Sequence, residues 1–175
     1  MEFEQVLRMR RSTRSFTEQQ VSATDIEKLL DAAQCAPLAG GDHETTHLTV
    51  VSDPETLAQI RQACERVSSQ TGKALDSLYG AQLLICVSAT DISDDHIEYS
   101  NVACIIENIH LQATALGLGS VYIWGCLRKL RKNEAAMARL GLPAGYELLS
   151  AIAIGYASEP LVEREPGQRI SVNRV

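Results

Sequence analysis

From Ile97 to Leu116 the chain reads as one helix carrying apolar residues on most of its sides, among them Val102, Ile105, Ile106, Ile109, Leu111 and Leu116. A helix that is apolar all round has to be covered all round, so this one is expected at the centre of the molecule rather than on its surface. Gly117 and Gly119 are expected to stop it. Two other stretches, Gln82–Ala89 and Glu147–Tyr156, are nearly continuous apolar runs, the pattern of strands buried on both faces.

The remaining elements fall between these. A short helix over Glu2–Met9 puts Phe3, Val6 and Leu7 on one face. Thr24 to Glu27 reads as a capping box opening a helix with Ile26, Leu29, Leu30 and Ala33 at helical spacing, ending near Ala36 because Pro37 follows. Leu38–Thr45 is a polar, glycine-bearing loop, and His47–Ser52 a strand. Asp53-Pro54 caps and opens a helix expected to run to about Val67. Val121–Trp124 reads as a short strand and Arg128–Leu140 as one amphipathic helix. The tail from Ala157 to Val175 is too poor in apolar residues to fold alone. Intermixed strands and helices place the chain in the α/β or α+β class, and 175 residues without a linker or repeat suit one domain, residues 1–175.

Composition excludes several functions. A net charge of −6 disfavours nucleic acid and anionic membrane as partners. No apolar run reaches the ~20 residues a membrane helix needs, and the N-terminus has no signal pattern, so a cytoplasmic protein is expected. The five cysteines (Cys35, Cys64, Cys86, Cys104, Cys126) contain no CxxC pair; most sit in apolar runs, where a cysteine behaves as a small buried hydrophobe, and the pattern suits a reducing compartment. The four histidines, His43, His47, His96 and His110, are scattered and read as surface or loop residues, so no metal site is expected. Walker A, HExxH and GxSxG motifs are absent, and Tyr122 stands where a dinucleotide fingerprint would need its last glycine.

Against that acidic background, Arg8-Met9-Arg10-Arg11-Ser12-Thr13-Arg14 gathers four arginines in seven residues. Like charges this close repel unless an anion or acidic partners relieve them. Guanidinium forks match phosphate oxygens, and serine hydroxyls add neutral donors. A solvated basic turn paired with surface carboxylates accounts for the charge equally well.

Four segments together resemble the nitroreductase-like FMN flavoproteins. Arg10-Arg11-Ser12-Thr13-Arg14-Ser15-Phe16 resembles their N-terminal R-R-S-x-R-x-F signature, and Ala36-Pro37-Leu38-Ala39-Gly40 their A-P-S-A-G segment. Glu107-Asn108-Ile109 through Ser120 is similar to their central helix with its glycine stop, and Gly155-Tyr156-Ala157-Ser158-Glu159-Pro160 to the G-Y-x-x-E-P closing their last strand. The resemblance implies an α+β, three-layer α/β/α fold with a mostly antiparallel central sheet around a long buried helix. It also implies a homodimer with FMN in the cleft between subunits. Arg10, Arg11, Ser12 and Arg14 would contact the FMN phosphate and ribityl chain, joined by Arg169 near the C-terminus. Pro37, Leu38 and Ala39 would approach the isoalloxazine from the other subunit, and Trp124 and Gly125 would present backbone N–H groups near flavin N5. NADH or NADPH would load the flavin, which would reduce a small electrophilic acceptor such as a nitroarene, quinone or enone. No dedicated catalytic acid or base is implied.

Some positions depart from the family pattern: Leu38 replaces a usual serine, Gly41-Asp42-His43-Glu44 a frequent N-x-Q-P, Asn101 a frequent aspartate and Gly167 a frequent lysine. Three functions therefore stand side by side. They are an FMN-dependent NAD(P)H oxidoreductase, a non-catalytic FMN-binding protein for storage or sensing, and a module whose arginines hold an acidic protein.

Overall fold

A computed structural model of the chain describes residues 1–167 and 169–175. Its elements are α1 (Phe3–Met9), α2 (Ala23–Gln34), β1 (Thr46–Val51), α3 (Pro54–Ala63), β2 (Arg66–Val67), β3 (Ala74–Leu75), β4 (Leu83–Ala89), α4 (Ile97–Ala115), β5 (Gly119–Ile123), α5 (Leu127–Leu130), α6 (Glu134–Ala138) and β6 (Glu147–Gly155). The main sheet has the order β1-β4-β6-β5 with every neighbouring pair antiparallel, while β2 and β3 form a separate hairpin.

Alternation along the two central strands divides the core. On one face Leu84 and Cys86 of β4 join Ala151 and Ala153 of β6 under Leu57 and Ile60 of α3, Leu127 and Leu130 of α5 and Ala136 of α6. On the other, Leu83, Ile85 and Val87 join Ile152 and Ile154 under Leu29 and Ala33 of α2 and Val102, Ile106, Ile109 and Ala113 of α4. The sheet thus lies between two helical layers, which is why β4 reads as a nearly continuous apolar run, broken by Ser88 alone. Each fully buried Leu or Ile in these layers contributes about 1.5–3 kcal/mol.

Helix α4 lies in the core as its sequence requires, yet it keeps an open stripe: Ser100, Ala103, Cys104 and Glu107 are exposed. It ends in a Schellman turn, with Gly117 at φ +77°, Leu118 N donating to the Ala113 carbonyl (2.8 Å) and Gly117 N to that of Thr114 (2.9 Å).

Three sequence expectations are corrected. The cap of α2 is Ser22, not Thr24: its Oγ accepts from Asp25 N (3.1 Å) and donates to Asp25 Oδ2 (2.8 Å). Both residues begin an S/T-x-x-acid pattern, and Val21 and Ile26, which flank the Ser22 cap, both pack into the α2/α4 core and so fix the earlier start. Helix α3 stops at Ala63 rather than Val67, because the chain turns into the β2–β3 hairpin around Gly72 at φ +67°. The single helix expected over Arg128–Leu140 is two, since the Asn133 side chain accepts from Ala136 N (3.0 Å) and restarts the helix.

The tail after β6 forms no helix or strand among its described residues. It runs back toward α1, where Arg164 N donates to the Arg8 carbonyl (3.3 Å) and Gln5 Nε2 to Glu163 Oε1 (2.9 Å).

Candidate functional site

The ribbon from Ser12 to Thr17 lies against the sheet where β5 begins and β6 ends. Thr13 N donates to the Ser120 carbonyl (2.9 Å), and Thr17 N to that of Tyr156 (2.9 Å). Ser12 bridges Ser120 in parallel and Phe16 bridges Ala157 in antiparallel fashion. Extended backbone turns Thr13 inward, so Ser12 and Arg14 on either side face outward and are exposed. Two glycines make the approach possible. Gly119 and Gly155 are register partners. A Cβ on Gly119 would stand 2.7 Å from Thr13 Oγ1, and one on Gly155 3.1 Å from Phe16 Cδ1. Gly119, expected as a helix stop, instead makes room for the ribbon, while Gly117 does the stopping.

A groove of about 320 Å³ opens along the ribbon, lined by Arg11, Ser12, Arg14, Ser15, Glu159 and Pro160 among others. One Arg11 Nη donates to the Val162 carbonyl, while Arg11 Nε is buried with no partner among the described residues, as is Thr13 Oγ1. A buried guanidinium N–H without an acceptor costs stability unless a ligand supplies one. The donor set, guanidinium beside hydroxyl on an extended backbone, fits the oxygens of a phosphate monoester.

Arg10 sits beside this groove with its Nε 3.7 Å from Glu107 Oε1 of α4. Such a partly exposed pair contributes little and can be exchanged for an anion. Behind it lies His110, which is 2% exposed and therefore a core histidine rather than the surface or loop residue expected. Its Nδ1 is 2.7 Å from Ser120 Oγ, and its carbonyl accepts from Thr114 Oγ1 (2.9 Å). Burial, reinforced by the charge of Arg10, pushes its pKa down to about 4. His110 is thus neutral near pH 7 and joins α4 to the residue whose carbonyl holds the ribbon.

The other expected site residues lie elsewhere on the chain. Ala39 N donates to Asn101 Oδ1 (2.9 Å), pinning the 37–41 loop to α4. Pro37 and Ala39 are exposed, and Leu38 lines a groove of about 360 Å³ with Leu30, His43, His47 and Ile105. After β5, Trp124 is 54% exposed, and its ring meets Tyr99 edge to face at 5.8 Å. The Gly125 N–H donates to no backbone carbonyl among the described residues. Arg169 lines a groove of about 730 Å³ beside α1 with Leu7, Arg8, Arg164 and Ile170. One chain therefore gathers Arg11, Ser12 and Arg14 on one groove, and Leu38, Trp124–Gly125 and Arg169 line three others.

Several residues of this arrangement were not singled out as site residues in the sequence: Thr13, Tyr99, His110 and Gly155. Thr13 had a signal, since alternation about Ser12 and Arg14 turns it inward. His110 had another, an isolated polar residue among apolar neighbours on a helix that must be buried. Among the described residues, no three His, Cys, Asp or Glu side chains are grouped to hold a metal ion. No helix among them is long and apolar enough to cross a membrane.

A three-layer α+β sandwich with an arginine ribbon and an open groove at the edge of its sheet defines the class. Within that class the chain belongs to the nitroreductase family, which it matches over residues 7–156. A protein of Archaeoglobus fulgidus named "Putative NADH dehydrogenase/NAD(P)H nitroreductase" is 30% identical over 95% of this chain and 91% of its own length. A nitroreductase with bound FMN from Bacteroides fragilis superposes with a TM-score of 0.79 at 25% identity, covering 100% of this chain and 99% of that one. Another with bound FMN, from Desulfitobacterium hafniense, gives 0.82 at 20% identity over 99% and 100%.

Proposed function

We propose that the protein is a homodimeric, FMN-dependent oxidoreductase that transfers hydride from NADH or NADPH to a small electrophilic acceptor such as a nitroarene, quinone or enone. The observation that carries this is the arginine ribbon with its unpartnered, buried Arg11 Nε beside an open groove, in a chain of a family whose solved relatives hold FMN. Bound FMN supplies the hydride chemistry. Arg10, Arg11, Ser12 and Arg14 bind its phosphate and ribityl oxygens, and Arg169 adds a charge from the tail. Trp124 and Gly125 present the N–H donors at the ring, and a donor fixed there favours the reduced flavin electrostatically. Pro37, Leu38 and Ala39 close the ring's apolar slot from the second copy.

Two observations support the dimer. Leu38, Trp124–Gly125, Arg169 and the Arg11–Arg14 ribbon line four different grooves of one chain, which a second copy can bring together. The uncovered stripe of α4 carries three small residues, Ser100, Ala103 and Cys104, before Glu107, and a second helix can pack closely on them. Free cysteines throughout the described chain accord with a cytoplasmic location.

The test is an FMN titration of the wild type and of Arg10→Ala and Arg14→Ala. Loss of one charge-assisted phosphate contact is expected to weaken binding by about 2 kcal/mol, roughly thirtyfold. Unchanged affinity in both variants refutes the phosphate assignment. Size-exclusion chromatography with light scattering checks the dimer at the same time.

A further inference from the structure

On the face of the sheet away from α4, two cysteines far apart in sequence come together. Cys64 caps the C-terminus of α3 and Cys126 precedes α5. The Cys64 S–H points at the Cys126 carbonyl oxygen, with Sγ 3.9 Å from it. The oxidoreductase reading above uses neither thiol.

Their surroundings make them unequal. Cys64 is fully buried; Cys126 is 6% exposed and lines a cavity of about 160 Å³ with Arg66, Ser77, Tyr79, Trp124 and Gly125, the last two being the residues placed at the flavin ring above. The hydrogen bond from Cys64 holds the Cys126 thiol below its ordinary range, and the Arg66 charge acts in the same direction. Hydrogen bonding to Cys126 and burial push Cys64 up. Arg66 is itself positioned: its Nε donates to Ser77 Oγ (3.2 Å), which donates to the Cys64 carbonyl (2.7 Å). The third core thiol, Cys86, is pushed up to about 12 by burial. Cys126 thus faces a cavity with room for a molecule a few times the size of water, with the Arg66 guanidinium on the same cavity and the Cys64 sulfur 3.9 Å from its own carbonyl oxygen.

We propose that Cys64 and Cys126 are a redox-active dithiol, oxidised by a small hydroperoxide to an intramolecular disulfide through a sulfenic acid on Cys126. In the first step the Cys126 sulfur attacks the terminal peroxide oxygen. An S–O bond forms, the O–O bond breaks, and the leaving alkoxide or hydroxide takes a proton. In the second step the Cys64 sulfur attacks the Cys126 sulfur, hydroxide leaves, and the Cys64 proton completes a water molecule. Two thiols and one hydroperoxide thus give one disulfide, one alcohol (or water) and one water, the two sulfurs supplying both electrons. An external dithiol returns the pair by exchange.

The test uses the full chain with the exposed Cys35 and Cys104 changed to serine, which removes surface disulfides. One equivalent of hydrogen peroxide is added at pH 7, remaining thiols are alkylated after unfolding, and intact mass and peptides are read. A loss of two hydrogens, with a single cross-linked Cys64–Cys126 peptide and Cys86 alkylated, is expected. In the same background Cys64→Ser should accumulate one dimedone adduct on Cys126, and Cys126→Ser should consume peroxide at least tenfold more slowly. Full alkylation of both cysteines after peroxide, or an adduct first on Cys64 or Cys86, overturns the proposal. Circular dichroism checks that each variant is folded, and the cross-link in the parent protein decides the matter if Cys64→Ser is not.

Discussion

Replacing Gly119 by alanine tests how the ribbon is held. The new Cβ would stand 2.7 Å from Thr13 Oγ1, 2.8 Å from its Cγ2 and 3.0 Å from its Cβ. The ribbon cannot simply recede, because Thr13 N is bonded to the Ser120 carbonyl one residue along at 2.9 Å. Overpacking of this kind costs about 1–3 kcal/mol. Alanine returns part of that, about 0.4–1 kcal/mol, by restricting the unfolded chain. At mid-range values, about 2 less about 0.7, the net loss is about 1.3 kcal/mol, or a fall in Tm of about 3–5 °C in a domain of this size. Trimming Thr13 to alanine removes the two nearest contacts and a hydroxyl that has no partner among the described residues. The double variant Gly119→Ala/Thr13→Ala should therefore be more stable than the sum of the single effects by about 1 kcal/mol or more. Urea denaturation of the four proteins measures this coupling. Additive effects, within about 0.5 kcal/mol, would mean that the glycine serves something other than the approach of Thr13.

Further expectations follow from the same geometry. His110 has a folded pKa of about 4 against 6.5 for the free side chain, so between those values the unfolded chain binds more protons. Its contribution is complete above pH 6.5 and is lost as pH falls toward 4. The loss is of order 3 kcal/mol, and urea midpoints for His110→Gln should fall less steeply over that window than for wild type. An equal slope in both would remove His110 from the account. Asn101→Ala removes the acceptor of the Ala39 N–H and should cost about 0.5–1.5 kcal/mol. Asn101→Asp, which keeps the acceptor, should cost less, and thermal melts distinguish the two. Ser22→Ala should lower stability by about 1 kcal/mol and Thr24→Ala by much less, the reverse of what a cap at Thr24 would give.

Where burial follows from the pattern itself, the sequence was a good guide. β4 and β6 appear within a residue of their expected limits, and α4 lies in the core because nothing else accommodates its apolar faces. Boundaries failed where two local signals competed: Ser22 and Thr24 offer the same capping pattern, and only the packing of Val21 and Ile26 selects between them. Asn133 could be read as an ordinary helical residue, and its side-chain bond to Ala136 N shows only in three dimensions. The arginine ribbon stands out in the sequence because its charge density is anomalous in an acidic chain. Its support was not: Gly119 facing Thr13, Gly155 facing Phe16 and His110 on Ser120 are pairs far apart in sequence whose meeting depends on strand register.

The central claim is that this chain binds FMN and loads it with electrons from a nicotinamide nucleotide. It is tested most directly by incubating the purified protein with FMN, desalting it, recording the absorption spectrum, and titrating anaerobically with NADH and then NADPH. A flavin band that survives desalting and bleaches with one of the two nucleotides is the predicted result. A band that persists against both would leave a flavin-holding protein rather than a reductase, and a folded, dimeric protein that retains no band would contradict the assignment of the arginine ribbon to FMN.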